Sequence, residues 1–189
     1  SVVVFHQRFS TNTSSRWSLA QPFRMLAHNG EINTIAGNRA WAQARAHIWR
    51  SEHIDPREFE PVIETDGSDS QSLDAMLDLL EAGGMDALKA MRILVPPATQ
   101  SLEYKDADLA AFYEYYAINS EPWDGPAGVV MCDGRHAACT LDRNGLRPAR
   151  YIVTDDDLVV MASESGVLPV PQNRILKKWR LQPGKMFLI

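Results

Sequence analysis

The stretch Ala127-Gly-Val-Val-Met-Cys132, Asp133-Gly134, Arg135-His-Ala-Ala-Cys139-Thr-Leu141 decides how the chain is read: two short runs of small, apolar and β-branched residues flank a two-residue turn signal. Asp-Gly between such runs predicts a tight hairpin, because the favoured turn needs positive φ at its central residues. With a two-residue loop, Cys132 faces Arg135 and Cys139 faces Gly128. The two thiols are then not partners, and each reads as a small buried hydrophobe. Downstream the β texture continues. Asn144-Gly145 marks a turn, residues 150–154 a strand, 155–157 an acidic turn, 158–162 another strand, and 185–189 a last one.

Upstream the texture is mixed. Val2 to Phe5 is a continuous apolar run that predicts a buried strand delivering His6, Gln7 and Arg8 at its end. Phe23 to Ala27 predicts a second strand, closed by a turn at His28-Asn29-Gly30. From Thr34 the period becomes helical, with Gly37, Trp41, Ala44 and Ile48 on one face and Asn33 or Thr34 as cap. Ser68 and Gln71 have the spacing of a capping box. The helix after them carries Leu73, Met76, Leu77 and Leu80 inward and stops at Gly83-Gly84. A further helix over 86–94 ends ahead of Pro96-Pro97. Another spans 106–117, with Leu109, Phe112, Tyr113 and Tyr116 as a core stripe. Strands, then helices, then antiparallel strands predict an α+β layered fold rather than βαβ units, with residues 1–189 as one domain.

Composition sets outer bounds. At 189 residues with 45% hydrophobic side chains, the chain can bury a core without disulfides or a structural metal. A formal net charge of −5 gives no general reason to bind nucleic acid or an anionic membrane. No apolar run approaches the ~20 residues of a membrane span, and two cysteines do not make a secreted disulfide scaffold. A cytoplasmic location is expected. His47, His53 and His136 lack metal-ligand spacing, and no glycine-rich phosphate loop is present.

Three polar clusters stand at predicted junctions: residues 8–13, His28-Asn29-Gly30, and Gly67-Ser68-Asp69. Together they hold what recognition of an amino acid and attack on its carbonyl need. A guanidinium forks onto a carboxylate, a carboxylate accepts from an ammonium, and an Asn amide beside a glycine N–H gives two donors for an oxyanion. Read singly, each has a plainer meaning: a surface ion pair for Arg8, a turn for Asn29-Gly30, a first-turn helix acid for Asp69.

The motifs His6-Gln-Arg8-Phe-Ser-Thr11-Asn-Thr13, Ala27-His-Asn29-Gly30-Glu-Ile-Asn-Thr34, Gly67-Ser-Asp69-Ser and Asp142-Arg-Asn-Gly145-Leu-Arg-Pro148-Ala-Arg150-Tyr occur in this order along the chain. They resemble the glutaminase domain of the glutamate synthase large subunit, a class II glutamine amidotransferase. The resemblance implies an N-terminal-nucleophile hydrolase fold, an αββα four-layer sandwich that is partial here, with its N-terminal strands missing. It implies Asn29 and Gly30 as the catalytic oxyanion hole, Arg8 and Thr11 as contacts to L-glutamine near its α-carboxylate, and Asp69 as the acceptor of its α-ammonium. It further implies a thioester on an N-terminal cysteine, with ammonia passed to a synthase domain of the same polypeptide. FMN and an iron–sulfur cluster belong to that enzyme but to regions outside this sequence, and a small electron-transfer subunit is a further partner it allows. Ser1 stands where the family carries cysteine, so the nucleophile is expected upstream and the 189 residues alone are expected to be inactive. An extended run from Ser1 to Arg8 would span roughly 23 Å, too far for both to reach one glutamine. Glutaminase parts of other amidotransferases, and a degenerate scaffold domain, are the alternatives. Arg143, Arg147 and Arg150 read as a structural network around the Asn144-Gly145 turn, with a solvated ridge, a contact to another domain and a role near the ammonia exit as the alternatives.

Overall fold

The computed structural model describes residues 1–9, 13–98 and 106–189. Its strands form two antiparallel sheets. The four-stranded sheet has the order β1-β2-β3-β7, with β1 at Leu26–Gly30, β2 at Ala127–Cys132, β3 at Ala137–Leu141 and β7 at Met186–Leu188. The three-stranded sheet has the order β5-β4-β6, with β4 at Arg150–Thr154, β5 at Val159–Ala162 and β6 at Ile175–Arg180. Helices α1 (Ile35–Arg45), α2 (Asp69–Ala82), α3 (Ala87–Leu94) and α4 (Ala107–Asn119) lie between β1 and β2 in sequence.

Period-two alternation assigns the faces. Ala127, Val129 and Met131 of β2 pack with Leu73 and Leu77 of α2 and with Ala90 and Met91 of α3. Val130 of β2 belongs instead to a second cluster with Cys139, Leu141, Met161, Leu181 and Phe187, which joins the two sheets. Tyr151 of β4 stacks on Phe187 of β7 there, with ring centroids 4.5 Å apart. The layers are therefore helices, four-stranded sheet and three-stranded sheet, the α+β arrangement expected from the sequence. β6 is exposed from Leu176 to Arg180, and the fourth, helical layer is not found among the described residues.

The local signals for α2 and α3 hold. Ser68 Oγ accepts from the Gln71 N–H at 3.0 Å, and Asp86 accepts from the Lys89 N–H at 2.9 Å. α2 ends where Gly84 turns at φ +96°. Other expectations are corrected. Val2 to Phe5 forms no strand: Val3 is 82% exposed and Phe5 61%, and β-branched residues make a strand only where a partner surface receives them. His28-Asn29-Gly30 is not a turn but the last part of β1, paired with Val129, Gly128 and Ala127. The β2–β3 connection has four residues, because Cys132 pairs with Ala137 and Cys139 with Val130. The Asp133 carboxylate accepts from the backbone N–H groups of Arg135 and His136, which draws those two residues into the turn. The cysteines are both free. α1 buries Asn38 and Ala42, whereas Trp41 and Ile48 are exposed. Of the aromatic stripe on α4, only Tyr113 is buried.

Candidate active site at the end of β1

β1 is the edge strand of its sheet, and hydrogen bonds at both of its ends fix where His28, Asn29 and Gly30 lie. At its start, the buried Asp74 carboxylate accepts from the N–H groups of Arg24 (3.2 Å), Met25 (2.9 Å) and Leu26 (2.9 Å). Burial raises the Asp74 pKa, with the three backbone donors opposing. On the open edge, the Gln21 amide stands in for a neighbouring strand: its Oε1 accepts from His28 N–H at 2.6 Å and its Nε2 donates to His28 C=O at 3.2 Å. Antiparallel bonding alternates, so the Gly30 N–H points off this same open edge. The Glu31 N–H returns to the Pro126 C=O at 2.9 Å.

Gly30 is required where it stands. Its φ is +151°, and a Cβ there would fall 1.8 Å from the Pro126 carbonyl oxygen. The neighbouring strand approaches too closely for any side chain.

The helix side of the strand end holds Asp69, the first residue of α2. Ser68 supplies the cap, so the Asp69 carboxylate is free for other partners. Its Oδ2 accepts from the Ile32 N–H at 2.8 Å, and its Oδ1 from the Ser70 N–H at 2.7 Å and the Ser70 hydroxyl at 3.2 Å. Two carboxylate oxygens offer about four acceptor sites, so one remains on Oδ2. His28 Nδ1 lies 2.9 Å from Ser70 Oγ and 3.9 Å from Asp69 Oδ2. Burial lowers the His28 pKa; the Asp69 charge pulls it back up, while His6 and Arg147 push it further down. The ring is neutral near pH 7.

Asn29 leaves the opposite face of the strand. Its Oδ1 accepts from Arg147 Nη2. Arg147 belongs to a loop organised by the buried Asp142, whose carboxylate accepts from the N–H groups of Ala127 (3.0 Å), Asn144 (3.0 Å), Leu146 (3.1 Å) and Arg147 (3.4 Å). In the same loop Arg143 pairs with Asp124, while Arg150 is exposed at the start of β4.

The structure thus brings Asn29, Gly30 and Asp69 to one strand end. Arg8 is exposed, and the hydrogen bond described for it runs from its own N–H to His6 Nδ1 at 3.0 Å. No described bond joins Arg8 to Asp69 or Asn29, because the strand expected to carry it does not form. Thr11 lies outside the described residues. Sequence reasoning missed Gln21, Arg39 and Asp74. Arg39 donates to the carbonyls of Thr65 (2.8 Å), Gly67 (2.7 Å) and Ser68 (3.2 Å) and so holds the loop that presents Asp69. A lone arginine on α1 carries no spacing signal for that task.

Neither cysteine belongs to this site. Cys139 is buried, which pushes its thiol up to about 12, and Cys132 lies at the far end of β2 from Ala127, the residue opposite Gly30.

Two antiparallel sheets are thus backed by helices on one side, with an Asn-Gly pair closing an edge strand beside a helix-borne aspartate. The chain belongs to the class II glutamine amidotransferases, whose family model matches residues 1–189. It is 47% identical over 193 residues to a ferredoxin-dependent glutamate synthase of Pyropia yezoensis, covering 100% of this chain and 12% of that protein. It is 46% identical over 188 residues to an NADH glutamate synthase of Schizosaccharomyces pombe, covering 97% of this chain and 9% of that protein. The chain therefore spans about a tenth of the length of these relatives. A solved structure, glutamine phosphoribosylpyrophosphate amidotransferase from B. subtilis complexed with ADP and GMP, superposes with a TM-score of 0.51 at 17% identity, over 97% of this chain and 32% of that one. That likeness concerns the fold.

Proposed function

We propose that this chain is the glutamine-hydrolysing part of a glutamate synthase. One observation carries the reading: β1 ends in Asn29-Gly30 with the Asp69 carboxylate docked two residues further on, against the Ile32 N–H. A glutamine side-chain carbonyl would lie against the Asn29 amide N–H and the outward Gly30 N–H, and the substrate α-ammonium would take the remaining acceptor site on Asp69. Arg8, with Thr11 near it in sequence, would receive the α-carboxylate. A thiolate supplied from elsewhere in the complete polypeptide attacks the carbonyl, ammonia leaves, and water then releases glutamate from the thioester. The buried, neutral His28 supports Asp69 through Ser70 and carries no proton in these steps.

Passing ammonia to a synthase domain belongs to the same reading, as does a small electron-transfer partner. An iron–sulfur cluster does not fit the described residues. Such clusters take four thiolate ligands, the chain has two cysteines, and no group of three or more His, Cys, Asp or Glu among the described residues could hold a metal. No helix among the described residues is long and apolar enough to cross a membrane. The free thiols suit a reducing cytoplasm.

The test compares L-glutamine with glutaramate, which lacks the α-amino group, as substrates of the complete polypeptide. Asp69→Asn should raise the glutamine KM roughly 30-fold or more, the ~2 kcal/mol lower bound for breaking a desolvated charge pair, and leave glutaramate almost unaffected. An equal effect on both substrates removes Asp69 from ammonium binding.

A further inference from the structure

The Asn29 amide is oriented from outside the strand, by a residue 118 positions away. Arginine has donors only, so the side-chain atom that Asn29 turns toward the Arg147 guanidinium must be its oxygen. The Asn29 NH2 group consequently points the other way. The residue opposite Asn29 on β2 is Gly128, and Arg147 lies over it. The Arg147 Cβ lies 3.6 Å from where a Gly128 Cβ would be, an ordinary contact distance, so the stem of the arginine packs directly over the Gly128 backbone. The loop behind it is not free to drift. Asp142 bonds the N–H groups of Leu146 and Arg147 and, through the same carboxylate, the first residue of β2. Arg147 Nε is buried with no hydrogen-bond partner among the described residues, and the side-chain bond described for the guanidinium runs from Nη2 to the Asn29 oxygen.

We propose that Arg147 is a positioning residue for glutamine hydrolysis: held by the Asp142 loop and passing over Gly128, it takes the Asn29 oxygen and so aims the Asn29 N–H donors at the substrate oxyanion. The proposal rests on the glutaminase reading above. Without Arg147 the amide can rotate and present its oxygen to the developing negative charge, which repels it. The bond also polarises the amide, making its N–H groups better donors. Because the arginine acts through Asn29, its loss cannot cost more than loss of the Asn29 donor itself, roughly 10²–10³ in rate.

The experiment is a double-mutant cycle on the complete polypeptide, following glutamine hydrolysis with kcat and KM separated. Arg147→Met should lower kcat roughly 10- to 100-fold with the glutamine KM within about twofold of wild type. Arg147→Lys keeps one donor and should recover part of that loss. In the Asn29→Ala background, Arg147→Met should change kcat less than about twofold, since the group it orients is gone. Equal losses in both backgrounds, or a raised KM with normal kcat, overturn the proposal and leave Arg147 a structural residue. If Arg147→Met does not fold, Arg147→Lys is carried through the same cycle, and additive losses have the same meaning. If Asn29→Ala alone leaves hydrolysis intact, the oxyanion-hole reading has failed, and the role of Arg147 falls with it.

Discussion

Replacing Asp142 by asparagine changes no volume and one charge, and its cost can be worked from the hydrogen bonds it makes. The carboxylate is 2% exposed and serves four backbone donors: Ala127 and Arg147 on Oδ1, Asn144 on Oδ2, and Leu146 on both. An amide has one acceptor oxygen and one donor NH2. The cheaper orientation keeps the oxygen toward the buried Ala127 N–H and turns the NH2 against Asn144. The bonds to Ala127 and Leu146 then pass from charged to neutral acceptors, a loss of about 1 kcal/mol each, the long 3.4 Å bond to Arg147 adds little, and the Asn144 N–H loses its partner at about 1 kcal/mol more. The lower cost of burying a neutral group returns part of this, leaving a net of about 2 kcal/mol. Hydrogen exchange followed by mass spectrometry on the complete polypeptide reads it directly. Amides of Ala127, Leu146 and Arg147 should exchange ~30-fold faster in Asp142→Asn, while those of α2 stay unchanged. Protection within about threefold of wild type would refute the reasoning, and with it the view that Asp142 holds the Arg147 loop.

Two other perturbations probe the strand end. Gly30→Ala places a methyl against the Pro126 carbonyl at positive φ, so strain and overpacking should destabilise by about 2–6 kcal/mol; a thermal midpoint equal to wild type contradicts the close approach. The pKa of His28 is lowered on folding from 6.5, so on acidification the unfolded chain binds the proton first. Stability should therefore fall as pH drops through about 6.5, and His28→Gln should flatten that part of the profile. Urea midpoints measured between pH 7.5 and 5.5 decide this, an unchanged slope counting against a buried neutral ring.

The elements legible in the sequence are those whose signals are local. Ser68 and Asp86 cap within three residues, and Gly83-Gly84 ends α2 without help from elsewhere. Strands depend on partners that lie far away in sequence. Val2 to Phe5 has strand composition but no surface to receive it, whereas Ile175–Arg180, with two lysines and an exposed tryptophan, looks unlike a strand and becomes one by pairing with β4. Composition alone puts β1 three residues early, because its end is set by its register with β2. At the site, Asn29, Gly30 and Asp69 came from motif order, and the structure brings them together. The bonds that position them, Gln21 to His28, Arg39 to the 65–68 loop and Arg147 to Asn29, join residues through the fold, at separations no spacing rule reveals.

The central claim is that Asn29 donates to the oxyanion formed when glutamine is hydrolysed. Initial rates of ammonia release from L-glutamine by the complete polypeptide, wild type against Asn29→Ala, test it most directly. The account predicts a fall in kcat of roughly 10²–10³, equivalent to about 2.7–4 kcal/mol of transition-state stabilisation, with little change in KM. An unchanged kcat contradicts it.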